Sequence, residues 1–214
     1  YKIGSNIGYI KVHSFTRTTH NEFITAIAKA KSEGCTKFIV DLRENAGGLL
    51  DAAVNMINEF IPSGQMIVYV QGKAYPRQEF FADGRGTCQD APLVVLTDEF
   101  SGSASEIFAG AIQDNDRGLI IGRRSYGKGL VQIPIPLEDG SELRLTIARY
   151  YTPSGRCIQK TYELGNSEEY EQDLYRRYVH GEFDTADSIT FDESAAYKTR
   201  GGRTVYGGGG IMPD

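Results

Sequence analysis

Three serines fall within five residues at the start of SGSASEIFAGAIQDN (101–115), and 25 residues past the middle one comes SYGKGLVQ, with Lys128 between two glycines. A serine hydroxyl is a weak nucleophile until a neighbouring base takes its proton. The three histidines, His13, His20 and His180, lie far from both segments in sequence. A reactive serine here would therefore need an unusual base, and Lys128 is the residue to weigh.

Ser103-Ala104-Ser105-Glu106 fits S-x-x-E, the capping box that opens many helices without any chemistry. The same position suits a nucleophile, because the free N–H groups and dipole of a helix N-terminus favour developing negative charge. An oxyanion formed on attack would lie near the Ala104 N–H. Local pattern does not choose between Ser101, Ser103 and Ser105. Gly122 to Lys128 matches a phosphate loop through its lysine, but Gly129 stands where a magnesium-binding Ser or Thr is required. The proline-bearing VQIPIPL that follows offers no helix N-terminus, so the nucleotide reading fails. A third segment, DLRENAGG (41–48), follows a buried strand, and its paired glycines allow close backbone approach by a ligand.

The elements that must position these residues alternate in type. IGYIKV, KFIVDL, QMIVYVQ, APLVVLTD and LIIG read as strands. Helices are predicted after the THNE capping box of Thr19 and Glu22, from about Asp51 to Pro62, and from about 103 to 114. The first should bury Phe23, Ile24, Ile27 and Ala28. LVQIPIPL and ELRLTIARYY form an antiparallel hairpin across Glu138-Asp139-Gly140-Ser141. The fold class is thus α/β, with a largely parallel sheet, flanking helices and a β-hairpin extension. Residues 1–160 read as the core. Residues 161–214 read as an acidic, glycine-rich segment packing on it or extending from it, with ten acidic and four basic residues between 161 and 200. SEEYEQDLYRRYVHGEF there is a candidate solvated or docking helix, and GGRTVYGGGG looks too glycine-rich for a regular element.

Composition bounds the function. The chain has 214 residues, 40% hydrophobic and 24% charged, which is globular composition. A net charge of −5 gives no electrostatic reason for nucleic acid binding. Cys35, Cys88 and Cys157 lack metal-ligand or disulfide-framework spacing. The longest apolar runs are strand-sized.

Together DLRENAGG, SGSASEIFAGAIQD, SYGKGLVQ, ARYYTPSGR and VYGGGGIMPD resemble the C-terminal processing peptidases, or tail-specific proteases, in order and over most of the chain. The resemblance implies a crotonase/Clp-protease-like fold and a serine endopeptidase with a Ser–Lys dyad, an acyl-enzyme intermediate and no cofactor or metal. It places the nucleophile on Ser103, the base on Lys128, the lysine-orienting glutamine on Gln132, and the oxyanion donors on Ala104 and either Gly47 or Gly48. A lysine acts as base only when neutral, and its free pKa is about 10.4, so Lys128 is expected to be buried, near Ser103 and held by Gln132. Four extended residues span about 13 Å, so contact between Lys128 and Gln132 requires a bend at Gly127 to Gly129. Ala46 and Cys157 replace the family's more usual residues, away from this chemistry. The implied partners are protein or peptide substrates with accessible C-terminal tails, an upstream PDZ domain expected in the full-length protein, and a homo-oligomer. The implied location is a bacterial periplasm or cell envelope. Two other readings share the fold: a non-catalytic ligand-binding module, which need not keep Ser, Lys and Gln together, and an acyl-CoA enzyme, for which no carboxylate pair is evident.

Overall fold

A computed structural model of the chain describes residues 1–162, 168, 170, 172–185 and 188–214. Strands β1 (Lys2–Ile3), β2 (Ile7–Lys11), β3 (Lys37–Asp41), β6 (Leu93–Thr97) and β7 (Leu119–Gly122) form one sheet in the order β1-β2-β3-β6-β7. Every pair after the antiparallel β1–β2 is parallel. A second sheet, β5-β4-β9-β8, is antiparallel and contains β4 (Met66–Gln71), β5 (Gln78–Phe81), β8 (Leu130–Pro136) and β9 (Glu142–Tyr151). QMIVYVQ thus belongs to a separate sheet rather than the parallel one. Its buried run IVYV explains why the sequence reads as a core strand either way.

Helices α1 (Thr19–Ser32), α2 (Leu50–Asn58) and α3 (Ala104–Asp114) pack in sequence, with α2 between α1 and α3. Helix α3 touches both β7 and β4, so it sits between the two sheets, and all eleven of its residues are buried. That is why its sequence is apolar on nearly every side rather than along one stripe. Phe60 joins the layers, with edge-to-face contacts to Phe23, Phe38 and Phe108 at centroid distances of 6.0, 6.3 and 6.2 Å. No described helix is long and apolar enough to cross a membrane.

Two details of α1 differ from expectation. Thr18 rather than Thr19 is its N-cap residue, and the Thr19 hydroxyl instead binds the Ser14 carbonyl at 3.0 Å and the Thr16 N–H at 2.9 Å. Only Phe23 and Ile27 are buried, because Ile24 and Ala28 turn toward solvent on the flank of a narrow apolar stripe.

Past residue 160, several described residues make hydrogen bonds to the rest of the chain. Helix α4 (Asp173–Val179) falls within the stretch expected to be a solvated or docking helix, part of which lies outside the described residues. Its Arg177 is buried, so α4 is not merely solvated. Strands β10 (Ala196–Lys198) and β11 (Thr204–Tyr206) make a two-stranded ribbon, so the glycine-rich stretch does contain a regular element. Its glycines flank Thr204-Val205-Tyr206, which keeps ordinary strand residues. The ribbon is tied down by buried Arg156, which donates to Gln113 and Asp114 of α3 at 2.7 Å each and to the Tyr206 carbonyl at 3.0 Å.

Candidate active site

Three neighbouring parallel strands, β3, β6 and β7, deliver the three sequence segments to one place. DLRENAGG leaves the carboxyl end of β3, the serine segment leaves β6, and the lysine loop leaves β7. The carboxyl edge of a parallel sheet is where α/β proteins assemble sites.

The structure sorts the three serines. The Ser101 hydroxyl is fully buried and donates to the Leu42 carbonyl at 2.8 Å. The Ser105 hydroxyl, equally buried, donates to the Asn45 carbonyl at 2.8 Å. Ser103 is half-buried and lines a cleft of about 410 Å³ with Gly48, Leu49, Lys128, Leu130, Gln132 and Tyr150 among its walls. Its backbone, φ 54° and ψ −113°, is in a region that costs a non-glycine residue of order 1–3 kcal/mol. The capping box forms. Its strong arm is the Glu106 carboxylate, which accepts the Ser103 N–H at 2.8 Å. The Glu106 N–H goes to the Ser103 carbonyl at 2.9 Å, leaving the hydroxyl without a cap bond of normal length. On this strained backbone Ser103 forms part of the cleft wall.

The paired glycines press against this turn. A methyl group on Gly47 (φ +103°) would lie 2.7 Å from the Ser103 Cβ and 2.8 Å from the Ala104 nitrogen, so no other residue fits. The Gly47 N–H is already taken, donating to the Asn45 side-chain carbonyl at 2.9 Å. Gly48 lines the cleft, and its N–H has no hydrogen-bond partner among the described residues. Ala104 occupies the first helical position, whose N–H has no intrahelical acceptor. Of the two glycines, Gly48 is thus the one with a donor to spare.

The lysine loop has no regular structure, yet its backbone is tethered throughout. Ser125 N–H donates to Ile211, Tyr126 N–H to Ser101, and Gly129 N–H to the Gln159 side chain, at 2.9–3.0 Å. The Glu106 carboxylate also accepts from the Ser125 hydroxyl and the Gly127 N–H at 2.6 Å, and from the Lys128 N–H at 2.8 Å. Glu106 is fully buried with four donors around it. Burial pushes its carboxyl pKa up, and the donors pull against that shift. One buried carboxylate therefore joins the serine turn to the lysine loop.

Lys128 departs from expectation. Its side chain is exposed, and its ammonium makes no hydrogen bond or ion pair among the described residues, with Ser103 or with Gln132. The reason is local: the tethers all act on the backbone before β8 begins at Leu130, and none acts on the side chain. Gln132 is exposed as well and donates to the Thr146 hydroxyl across the ribbon at 3.3 Å. The register shift that marks a bulge lies between Val131 and Gln132 rather than at Gly127 to Gly129, and Lys128 and Gln132 line one cleft without a hydrogen bond between them. Ser103, Lys128, Gln132 and Gly48 all line that cleft.

Sequence reasoning missed three structural contributors. Glu106 was legible only as a capping residue. Asn45, fully buried, accepts from Gly47, Gly102 and Ser105 and donates to the Val12 carbonyl at 2.8 Å. An Asn just before Ala-Gly-Gly was the available signal, since its short amide satisfies local backbone groups. Asp41, also fully buried, receives a two-point contact from Arg43 at 3.0 and 2.7 Å and the Tyr9 hydroxyl. Burial raises its pKa, but these donors outweigh it and hold the carboxyl at about 2.

Comparison with known proteins places this geometry in context. The model of peptidase family S41 matches residues 6–166. A carboxyl-terminal-processing protease of Synechocystis sp. is 38% identical over 157 residues, covering 73% of this chain and 36% of that protein. One from Bartonella bacilliformis is 40% identical over 163 residues, covering 74% of this chain and 38% of its own. The solved structure of a photosystem II D1 C-terminal processing protease superposes with a TM-score of 0.66 at 37% identity, over 72% of this chain and 39% of that one. The chain therefore spans a little over a third of the length of these relatives.

Proposed function

The chain belongs to peptidase family S41, and on that premise we propose that it is the catalytic core of a serine endopeptidase that cleaves proteins near their C-termini. The observation that carries this reading is Ser103. It stands at the N-terminus of a buried helix on a strained backbone, with Lys128 in the same cleft. In the proposed reaction the Ser103 oxygen attacks the scissile carbonyl carbon and its proton passes to the neutral Lys128 amine. The Ala104 and Gly48 N–H groups receive the oxyanion. Collapse breaks the C–N bond, Lys128 returns the proton to the leaving amine, and the acyl-serine is then hydrolysed by a water that Lys128 deprotonates. Gln132 orients the lysine from the ribbon. Since Lys128 is exposed, a bound substrate has to cover the cleft and exclude water before the amine meets Ser103.

The same reading extends to the whole protein. It comprises a crotonase/Clp-like protease core over residues 1–160, a C-terminal segment over 161–214, an upstream PDZ domain that captures tails by strand addition, and self-association in a periplasm or cell envelope. The test is cleavage of an unfolded protein: wild type should produce fragments and Ser103→Ala none. Fragments from Ser103→Ala, or none from wild type alongside tight binding of the peptide, would favour a binding module on the same fold.

A further inference from the structure

The tethers on the lysine loop come partly from outside the region that the family model matches. Helix α4 lies beyond residue 166, and its Arg177 is only 5% exposed. The Arg177 guanidinium donates to the Arg124 carbonyl at 2.6 Å and to the Ser125 carbonyl at 3.1 Å. Its third arm holds Glu182 at 2.9 Å. The same Glu182 carboxylate accepts from the Arg124 side chain at 2.7 and 2.5 Å. Arg177 and Glu182 thus grip Arg124 by its backbone and its side chain together. Ser125, next in the chain, carries the hydroxyl that binds Glu106. Two residues on, the Gly127 carbonyl accepts from the Lys160 N–H at 2.9 Å.

We propose that Arg177 is a positioning residue for the catalytic base: by holding the Arg124 and Ser125 carbonyls it fixes where the loop presents Lys128 to the Ser103 cleft. The inference rests on Lys128 being that base. A guanidinium suits the task because its planar fork spreads its donors over three nitrogens and so spans two adjacent carbonyls and a carboxylate, whereas an ammonium carries all its donors on one nitrogen. The loop itself has no ladder of its own, so losing this grip leaves two carbonyls unpaired and removes the hold on the loop's entry, with Glu106 alone still fixing the Gly127 and Lys128 N–H groups. A displacement of about 1 Å at a reacting group can cost on the order of a hundredfold in rate.

Three variants and two measurements test this. Kinetics on a flexible chromogenic peptide should show Arg177→Met lowering kcat by about tenfold to a hundredfold with KM little changed. Arg177→Lys, whose donors all sit on one nitrogen and cannot span the three acceptors, should recover part of that loss. Hydrogen exchange should quicken at the Gly127, Lys128 and Gly129 amides in Arg177→Met while the amides of α3 stay protected. A purely structural role would instead speed exchange in both and lower the yield of folded enzyme without changing kcat per folded molecule. A folded Arg177→Met with wild-type kcat overturns the proposal. Should that variant not fold, Arg177→Lys decides, and wild-type kcat there overturns it equally. Lys128→Ala is the control on the premise: if it stays active, the base is elsewhere and the proposal falls with it. An inactive Lys128→Ala beside a fully active Arg177→Met sinks only the positioning role.

Discussion

The serine half and the lysine half of the cleft are built in opposite ways. Ser103 stands on a helix buried along its whole length, and Ser101, Ser105, Glu106 and Asn45 around it are fully buried and hydrogen-bonded. Lys128 and Gln132 stand on a loop and ribbon whose side chains are largely in solvent, with Ile133 39%, Leu145 46% and Leu143 50% exposed. The proposed nucleophile and oxyanion donors are thus fixed by core packing. The proposed base is carried by backbone tethers with an exposed side chain. Substitutions in the first half should cost stability, whether or not they cost activity, and in the second half activity alone.

The largest expected effect is at Glu106, where the two halves meet. Ser125 and Gly127 donate to one carboxylate oxygen, and Ser103 and Lys128 to the other. In Glu106→Gln an amide NH₂ must face at least one of those N–H groups, whichever way it turns. Leaving a buried donor unpaired costs about 1–3 kcal/mol, so the variant should lose at least that much in denaturant unfolding and all measurable cleavage. A Glu106→Gln protein that unfolds at the wild-type midpoint would remove the link between the halves.

Next come two substitutions that should part company. Ser105→Ala removes one of two donors to the buried Asn45 carbonyl, which keeps the Gly102 N–H, and should cost about 1 kcal/mol while leaving substantial cleavage. Lys128→Ala and Lys128→Arg should abolish cleavage, because neither side chain accepts a proton. Both should change stability by no more than about 0.5 kcal/mol, as expected at an exposed position. The contrast fails if Lys128→Ala melts early or Ser105→Ala is dead but stable.

Acid should expose the serine half through Asp41. Its carboxyl is held at about 2 in the folded chain, below the free value of about 3.9. The unfolded chain therefore binds this proton first, so the stabilisation is complete above about pH 4 and is lost as the pH falls through 2. Asp41→Asn should flatten that part of the acid-unfolding curve. An unchanged acid limb in Asp41→Asn would show that other carboxylates govern it.

The contrast also explains what the sequence could reveal. Period and turn signals read out the core half: β3, β6, β7 and the start of α3 fall where apolar runs and S-x-x-E put them, because burial imposes those patterns. Choosing among Ser101, Ser103 and Ser105 was beyond local pattern, since all three sit in one turn and only the partners Leu42 and Asn45, some sixty residues away in sequence, distinguish them. The assignment of β4 to a second sheet was equally invisible, because a buried strand looks alike in either sheet. Lys128 was misjudged for the opposite reason. Chemistry demands a shielded base, whereas nothing in GKG or the polar ribbon after it demands burial.

The smallest expected effect is at Gln132, and it sharpens the description of the lysine half. Its amide makes one long contact, 3.3 Å to Thr146, on the exposed ribbon. Gln132→Ala should therefore leave the unfolding midpoint within about 0.5 kcal/mol of wild type. If Gln132 orients Lys128 once substrate closes the cleft, kcat should fall by a few-fold to tenfold with the lysine still able to accept a proton, a loss on the order of 1 kcal/mol in the transition state. Thr146→Val separates this from a ribbon effect, since it removes the observed contact but not the glutamine. Equal kinetic losses in the two variants would mean that the ribbon's shape matters and Gln132 itself does not. A loss in Gln132→Ala alone would mean that the glutamine leaves Thr146 for Lys128 during turnover, and that the lysine half is completed by the substrate it acts on.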